Sequence, residues 1–195
     1  MEALMMTLSS GVVSGVRPYL MLFVLGIAGR FFGIEQVPEV MQRTDVLVIA
    51  AVLVVVDFLA DKIQFLDSFW DALHTVVRPV AGGAIGFLMG GETDTTTAIV
   101  LAVIGAVSAL GTHTAKATVR AAVNVSPEPV SNVLVSGAED IGAVGLAFAA
   151  VLLPILAGLF AIAFLVTAAA ATILIWRAIA RRRAAARDVV VLSAP

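Results

Sequence analysis

The sequence predicts an all-α fold, namely a polytopic membrane helix bundle of about six transmembrane segments, with proline-interrupted helices and one interfacial amphipathic helix. Of its 195 residues, 61% are hydrophobic and only 13% are charged, and the mean hydropathy is +1.06. The apolar residues gather in runs close to the roughly 20 that a helix needs to cross a bilayer core of about 30 Å. We therefore expect one transmembrane helical domain over residues 1–178 and a basic cytoplasmic tail over residues 179–195.

Composition excludes several classes of function. The chain has no cysteine, which rules out a disulfide framework, a thiolate nucleophile and a cysteine-based metal site. The formal charge of -2 gives no electrostatic footprint for nucleic acid, and the only basic run, Arg177–Arg187, lies where a topology determinant belongs. We expect neither a cofactor nor a metal. The first ten residues lack the features of a cleaved signal peptide, so we expect the first segment to be retained.

Six apolar segments follow one another along the chain. They cover residues 11–32, 45–60, 79–91, 96–124, 130–153 and 155–176. The third would extend only about 20 Å as a helix, so it must be lengthened by its flanks, form a half-helix or cross a thinned part of the membrane. Pro18 interrupts the first segment and Pro79 begins the third. Both follow Val-Arg, which hints at a repeated unit of the kind that frames transporter sites.

Residues 63–78, between the second and third segments, have an apolar and a polar side with helical periodicity. The apolar side carries Ile63, Leu66, Phe69, Trp70, Leu73 and Val77. The polar side carries Asp67, Ser68, Asp71, Thr75 and Arg78. This pattern predicts an interfacial amphipathic helix, which is either a connector on the membrane surface or a gate over a pathway.

The distribution of lysine and arginine predicts the topology. If Arg177–Arg187 is cytoplasmic and the chain crosses six times, the connectors after the second and fourth segments are cytoplasmic too, and both have basic residues nearby. Residues 90–95 carry acids but no lysine or arginine, as expected of an outer connector, whereas Arg30 and Arg43 argue the other way. We expect a multi-pass protein of the cell inner membrane with both termini cytoplasmic.

Two polar stripes on neighbouring apolar segments are the most informative feature of the chain. One face of the fourth segment carries His113, Lys116, Arg120 and Asn124, and one face of the fifth carries Asn132, Ser136, Glu139 and Asp140. A lysine or arginine near the centre of a membrane helix costs roughly 2.5 to 3.5 kcal/mol on insertion scales. The stripes must therefore face protein, water or a ligand rather than lipid.

The connector at residues 126–129 marks a turn, because two prolines stop the helix there. If the helices run antiparallel from it, Lys116 comes level with Glu139 or Asp140. Two interpretations remain open. In the first, the charges form a closed network that holds two helices together, although buried ion pairs add little net stability after desolvation. In the second, they line a polar pathway or binding site. His113 is the natural pH switch of the group, unless it only packs or hydrogen-bonds.

Three further charged residues extend this group. Arg17 and Arg78 each precede a proline that starts a helix, and Asp57 lies within an apolar run of the second segment. Asp57, one turn from Asp61, also fits an ordinary helix end at the membrane interface. No catalytic residue is assigned. The predicted substrate-binding or pathway residues are Arg17, Asp57, Arg78, His113, Lys116, Arg120, Asn124, Asn132, Glu139 and Asp140.

Several short motifs stand out over residues 10–178. They are GVRPY at 15–19, ADKI at 60–63, WD at 70–71 with His74 and Arg78-Pro79, GTHTAKA at 111–117, SPEPVSN at 126–132 and ED at 139–140. Together they resemble a family of bacterial integral membrane proteins known as a domain of unknown function. In that family a proline follows Lys-Ile, where this chain has Gln64. The resemblance implies a membrane location and important polar positions, and it implies no activity or catalytic residue.

The leading hypothesis is a small membrane transporter or channel-like permease with a charged intramembrane centre. The cations among the predicted residues outnumber the acids, and the amino ends of half-helices add positive charge, so we expect an anionic solute or lipid headgroup as ligand. The expected partners are the lipid bilayer, this ligand, and a second copy of the chain or a larger membrane complex.

Two other classes of function are kept. The alternative is a structural or accessory subunit of a larger membrane complex, in which the stripes would be dry ion pairs. The third class is an intramembrane enzyme that acts on a lipid, with His113 or Asp57 as acid or base. The chain lacks the histidine pair of metalloproteases and the Gly-x-Ser-x-Gly elbow of serine hydrolases, which argues against that class.

Overall fold

Eight helices and no strand make up the residues that the computed structural model describes, which are 1–60, 64–91, 93–123 and 129–192. Side chains are described over 1–60, 69–91, 93–120 and 136–181. The helices are α1 Glu2–Ser14, α2 Pro18–Phe32, α3 Glu39–Gln42, α4 Thr44–Ala60, α5 Gln64–Gly91, α6 Thr95–Val123, α7 Pro129–Leu152 and α8 Pro154–Leu192. The predicted all-α class is confirmed.

Apolar side chains cover the outside of the bundle and polar ones lie inside it. Three helices of the described residues are long and apolar enough to cross a membrane, namely Phe69–Gly91, Thr95–Arg120 and Pro154–Arg181, and Pro18–Phe32 is a shorter apolar helix. Val107 and Val166 are 63% and 64% exposed, whereas Arg17, His74 and Arg78 are buried. Soluble proteins have the opposite arrangement. The lipid bilayer is therefore the environment of this protein.

The helix of the first apolar segment is interrupted before Pro18, as predicted, and the chain reverses its direction there. Gln36 Nε2 donates a hydrogen bond of 3.0 Å to Glu2 Oε2, although a collinear helix from Glu2 to Phe32 would hold its ends about 45 Å apart. The residues from Phe32 to Gln36 reach at most about 14 Å. The helices α1 and α2 therefore fold back on each other as a re-entrant hairpin, whose tip is residues 15–17.

Two glycines allow α1 to lie directly against α6. A Cβ atom on Gly15 would come within 2.5 Å of Ala109 O and of Thr112 Cβ, and one on Gly11 within 2.7 Å of Ser108 Cβ. Because Gly11 and Gly15 meet successive turns of α6 in the same order, the two helices run parallel. This contact buries α1 in the centre of the bundle, and it carries the hairpin tip to the level of the charged residues.

The helix α5 corrects two expectations. Residues 64–78 of the predicted interfacial helix form one continuous helix with the third apolar segment, so Pro79 lies inside a helix instead of starting one. Residue 63 lies outside the described residues. The segment is thus lengthened by its flanks, one of the three possibilities considered. A proline is tolerated within a membrane helix when neighbouring helices support the freed backbone, and α5 has its most extensive contacts with α6. Gly82 lies against Gly105, so the two backbones approach closely.

The start of α1 and the carboxyl end of α8 lie at opposite ends of the bundle. Gly158, near the start of α8, packs on Met5 of α1, and Leu165 lies beside Gly111. Since α8 therefore runs parallel to α1 and α6, its carboxyl end is far from Glu2. The expectation of both termini on one side is incorrect for this arrangement, because the hairpin of α1 and α2 returns to the end where it began.

The amino end of α6 is capped by Asp94. Its Oδ1 accepts a hydrogen bond of 2.9 Å from Thr97 N, and its Oδ2 accepts one of 2.6 Å from Thr97 Oγ1. These bonds favour the carboxylate and hold the pKa of Asp94 below its usual value. A lowered pKa in the folded state adds stability above the unfolded value of about 3.9, and this stability is lost as the pH falls through the folded value.

We expect Asp94→Ala to lower the thermal midpoint by about 2–4 °C at neutral pH, because α6 loses its cap. The difference from the wild type should shrink as the carboxyl group is protonated, and thermal scans from neutral to acidic pH measure it. Asp94→Asn is the control, since it keeps a capping oxygen and loses only the charge. A difference that did not depend on pH would contradict this account of the cap.

Candidate functional site

The guanidinium of Arg17 joins the hairpin tip to two other helices. It is 2% exposed. Its Nε and Nη2 donate to Asp140 Oδ1 of α7 at 2.9 and 2.6 Å, and its Nη1 donates to Asp57 Oδ2 and Asp57 O of α4 at 2.9 and 3.1 Å. The Phe58 ring lies 4.3 Å from the guanidinium carbon. Hydrogen-bonded charge pairs of this geometry are strong, so they fix the tip between α4 and α7.

Asp57 also connects the tip to α5. Its Oδ1 accepts a hydrogen bond of 2.8 Å from Trp70 Nε1, and the Nε2 atom of the buried His74 ring lies 3.8 Å from the same oxygen. The Nδ1 atom of His74 is 2.8 Å from Trp70 O, one turn earlier. Tyr19 packs edge-on against this ring, with centroids 5.6 Å apart.

His113 lies in a second group of contacts, close to the first. Arg78 Nη1 contacts His113 Nδ1, and Arg78 Nη2 donates to Asp71 Oδ1 at 3.0 Å. His113 Nε2 is 3.1 Å from Thr75 Oγ1, which donates its own proton to Asp71 O. Both nitrogens of His113 thus have partners, and one of those partners is a permanent cation. This geometry disfavours the predicted role of His113 as the pH switch.

The predicted contact between the two stripes is present. Lys116 Nζ lies 3.4 Å from Glu139 Oε2, and Arg120 Nη2 lies 3.6 Å from the same oxygen. Arg120 Nη1 is 3.6 Å from Asp71 Oδ2. Of the two acids considered for Lys116, Glu139 is its described partner and Asp140 belongs to Arg17. Glu139 Oε2 is buried and accepts no hydrogen bond, so its contacts with the two cations are ion pairs at 3.4 and 3.6 Å.

A cavity of about 460 Å³ opens beside Lys116 and Glu139, between α6, α7 and α8. Lys116 and Glu139 line it at one end, and apolar side chains such as Phe164, Ala168 and Ile175 of α8 line most of the rest. The size is within the range of small-molecule pockets. A cavity with apolar walls and one charged end suits an amphipathic ligand.

Eight of the ten predicted residues therefore lie in two neighbouring groups of contacts, one around Arg17 and Asp57 and the other around Asp71 and Glu139. With Asp71 and His74 they form the group that we call the polar centre, which consists of Arg17, Asp57, Asp71, His74, Arg78, His113, Lys116, Arg120, Glu139 and Asp140. Of the other two, Asn124 lies outside the described residues, and the backbone of Asn132 is in α7 while its side chain lies outside the described ones.

Asp71 and His74 were not among the predicted site residues, because both lie on the stretch interpreted as an interfacial helix. Their only signal was the motif that joins them to Trp70. Asp71 also changes the charge argument, since Arg17, Arg78 and Arg120 each contact a carboxylate. With Asp71 included, four carboxylates match the four lysine and arginine side chains of the polar centre, so the expected surplus of cations is absent.

The chemistry that this arrangement offers is binding and proton exchange. Within the described residues, no group of three or more histidine, cysteine, aspartate or glutamate side chains is placed to hold a metal ion. A ligand or a proton that bound here could replace one partner of an ion pair, and the charged side chain would then contact the newcomer.

The protein family described as Domain of unknown function (DUF4126) matches residues 4–173, which is most of the chain. No curated protein and no solved structure matches this chain.

Proposed function

The chain belongs to the DUF4126 family, and on that premise we propose that it is a small membrane transporter or channel-like permease of the cell inner membrane. The ligand we propose is an anionic solute or an anionic lipid headgroup. One observation carries the proposal, namely that the tip of a re-entrant hairpin is held by carboxylates from two separate helices, the buried Asp57 and the partly buried Asp140. Paired half-helices that meet within a bundle are typical of secondary transporters.

The cost of the polar centre supports a role beyond packing. Buried ion pairs are near break-even once desolvation is included, so a bundle that needed only stability would use apolar contacts at the tip. Arg17 is instead bonded to both Asp57 and Asp140. If one of these carboxylates changes partner, the tip can move relative to α4 or α7. Such an element with alternative partners is what a transport cycle requires.

The cavity supports an amphipathic anion as ligand. Lys116 lies at its charged end, with Arg120 near the same carboxylate of Glu139, and no contact from either cation to that oxygen is shorter than 3.4 Å. An incoming phosphate or carboxylate group could accept charge-assisted hydrogen bonds from these cations. An apolar tail would lie along α8, where Ala168 and Phe164 line the cavity.

Uptake of octyl phosphate into proteoliposomes tests this proposal. We expect uptake above that of protein-free vesicles, at least a tenfold loss with Lys116→Met, and a similar loss with Ala168→Trp, which fills the cavity. Ala170→Trp is the matched control, since Ala170 is exposed on the same helix and does not line the cavity. Uptake that was unaffected by both cavity variants would overturn the ligand assignment.

The fold also supports a topology. The carboxyl end of α8 bears the arginine cluster that the positive-inside rule assigns to the cytoplasm, so Glu2 and Thr93 would lie on the outer side. We expect a cysteine at position 2 or 93 to react with an impermeant thiol reagent from outside, and one at position 190 only from the cytoplasm. The chain has no native cysteine to interfere. Labelling of position 2 only from the cytoplasm would contradict this topology.

A second candidate function is an accessory subunit of a larger membrane complex. The observation that favours it is the long apolar surface of α8, on which Leu159, Val166 and Leu174 are all more than half exposed. A stoichiometric partner that copurified in mild detergent, together with no octyl phosphate uptake, would favour this candidate over the transporter.

A further inference from the structure

The two histidines of the chain have opposite hydrogen-bonding states. Arginine has only donors, so His113 Nδ1 must accept from Arg78, and the proton of the neutral ring is on Nε2, directed to Thr75. A second proton on His113 would have to displace the Arg78 guanidinium and would place two positive charges together. His113 is therefore closed to protonation.

His74 is open to protonation. A carbonyl oxygen only accepts, so His74 Nδ1 donates to Trp70 O, and Nε2 of the neutral ring carries no proton. Nε2 is buried and makes no hydrogen bond, and it lies 3.8 Å from Asp57 Oδ1. The unprotonated Nε2 atom and the carboxylate oxygen lie close together, but there is no proton between them to form a hydrogen bond. Buried polar atoms without a partner are rare and call for an explanation.

We propose that His74 Nε2 is the proton-binding atom of the polar centre, with Asp57 as its counter-ion. A hydronium ion transfers its proton to Nε2, so one O–H bond breaks as the N–H bond forms and a water molecule is released. The ring becomes an imidazolium that donates to Asp57 Oδ1. The two atoms need to approach by about 1 Å to reach ordinary hydrogen-bond distance. The added positive charge lies next to a carboxylate, where it is stabilised.

The surroundings of His74 decide how readily this proton binds. The charged and titratable groups that face it are Asp57 from α4, Arg17 from the hairpin tip, Tyr19 from α2, His113 from α6, and Asp71 and Arg78 on α5 itself. The helix α1 carries only Glu2, at the other end of the bundle. Burial of the ring is the largest effect and opposes the added charge, as does Arg78, whereas Asp57 and Asp71 favour the proton.

Binding of the proton also changes the hold on the hairpin tip. Asp57 is bonded to Arg17 through Oδ2 and would then share its charge with an imidazolium at Oδ1. The bond between Asp57 and Arg17 is weakened by that sharing, and the tip becomes easier to release from α4. This coupling rests on the proposed function, in which the tip moves. The proton site itself rests only on the geometry of His74 and Asp57.

Nitrogen NMR of the bilayer-reconstituted protein, labelled with ¹⁵N-histidine and purified without a histidine tag, tests the inference. Only two rings give signals, and His74→Gln and His113→Gln assign them. In the neutral state we expect the proton on Nδ1 of His74 and on Nε2 of His113. On titration from about pH 9 to about pH 4 we expect His74, and not His113, to gain a second proton.

Two variants make the assignment to Asp57 falsifiable. Asp57→Asn should weaken the proton affinity of His74 at least tenfold, with unchanged His113 signals as the control for folding. Trp70→Phe removes the other donor to Asp57 Oδ1 and should strengthen this affinity severalfold. It therefore tests the role of Asp57 even if Asp57→Asn does not fold. A proton on Nε2 of neutral His74, no second proton down to about pH 4, or no effect of either variant would overturn the inference. None of these readings depends on transport, so a failure of octyl phosphate uptake would leave them intact.

Discussion

Replacing Arg17 with methionine is expected to lower the free energy of unfolding by about 3–5 kcal/mol, which is among the largest effects of a single substitution in this chain. Methionine keeps much of the side-chain volume but removes the guanidinium that bonds to Asp57 and Asp140. Two carboxylates would then remain in the bundle without this partner. Unfolding in mixed micelles with increasing mole fractions of SDS measures the change.

Two comparisons show whether the loss comes from burial. Arg43 pairs with Asp45 at 2.6 Å, but the two side chains are 63% and 57% exposed, so Arg43→Met is expected to change stability very little. Combining Arg17→Met with Asp57→Asn and Asp140→Asn should recover part of the loss, because no uncompensated charge stays buried. An Arg17→Met variant as stable as Arg43→Met would contradict the tip contacts.

Lys116→Met and Glu139→Gln are expected to be strongly coupled, by about 1–3 kcal/mol in a double-mutant cycle on the free energy of unfolding. The coupling arises because Lys116 Nζ is 3.4 Å from Glu139 Oε2, and either single variant leaves a buried charge with fewer partners. Arg120 also contacts Glu139, so the same cycle with Arg120→Met should give a smaller but measurable coupling.

The matched comparison for this cycle is Lys116→Met with Asp140→Asn. Sequence register alone allowed Lys116 to meet either acid, whereas Asp140 is bonded to Arg17 in the structure. We expect the coupling between Lys116 and Asp140 to be clearly weaker than that between Lys116 and Glu139. The reverse order would mean that α7 is rotated by about one residue, roughly 100° of helix, relative to its described position.

Much of this arrangement follows from local sequence pattern. The periodicity of the two stripes and the predicted turn at 126–129, most of which lies outside the described residues, were enough to bring Lys116 level with Glu139 or Asp140. Spacing along antiparallel helices is fixed by the rise per residue. Hydropathy alone indicated the membrane bundle, and Pro18 indicated the break after Arg17. These features depend on neighbours in the sequence or on helix geometry.

Other features depend on contacts between distant segments. A proline break has the same sequence signal whether the next helix continues or folds back, and the fold-back is decided by the packing of Gly11 and Gly15 on α6 and by the contact of Gln36 with Glu2. Pro79 was expected to start a helix, but it lies inside α5, where α6 supports the backbone around it. His74 was not chosen because its stretch has the amphipathic pattern of a surface helix.

The re-entrant hairpin is the central claim of this account, since the tip, the polar centre and the topology all depend on it. Pulsed electron spin resonance between spin labels at positions 2 and 36, in a chain without other cysteines, measures it directly. We expect a distance below about 25 Å, because the side chains of Glu2 and Gln36 are hydrogen-bonded. A distance of about 45 Å or more, as for a continuous helix from Glu2 to Phe32, would contradict the hairpin and the function proposed for it.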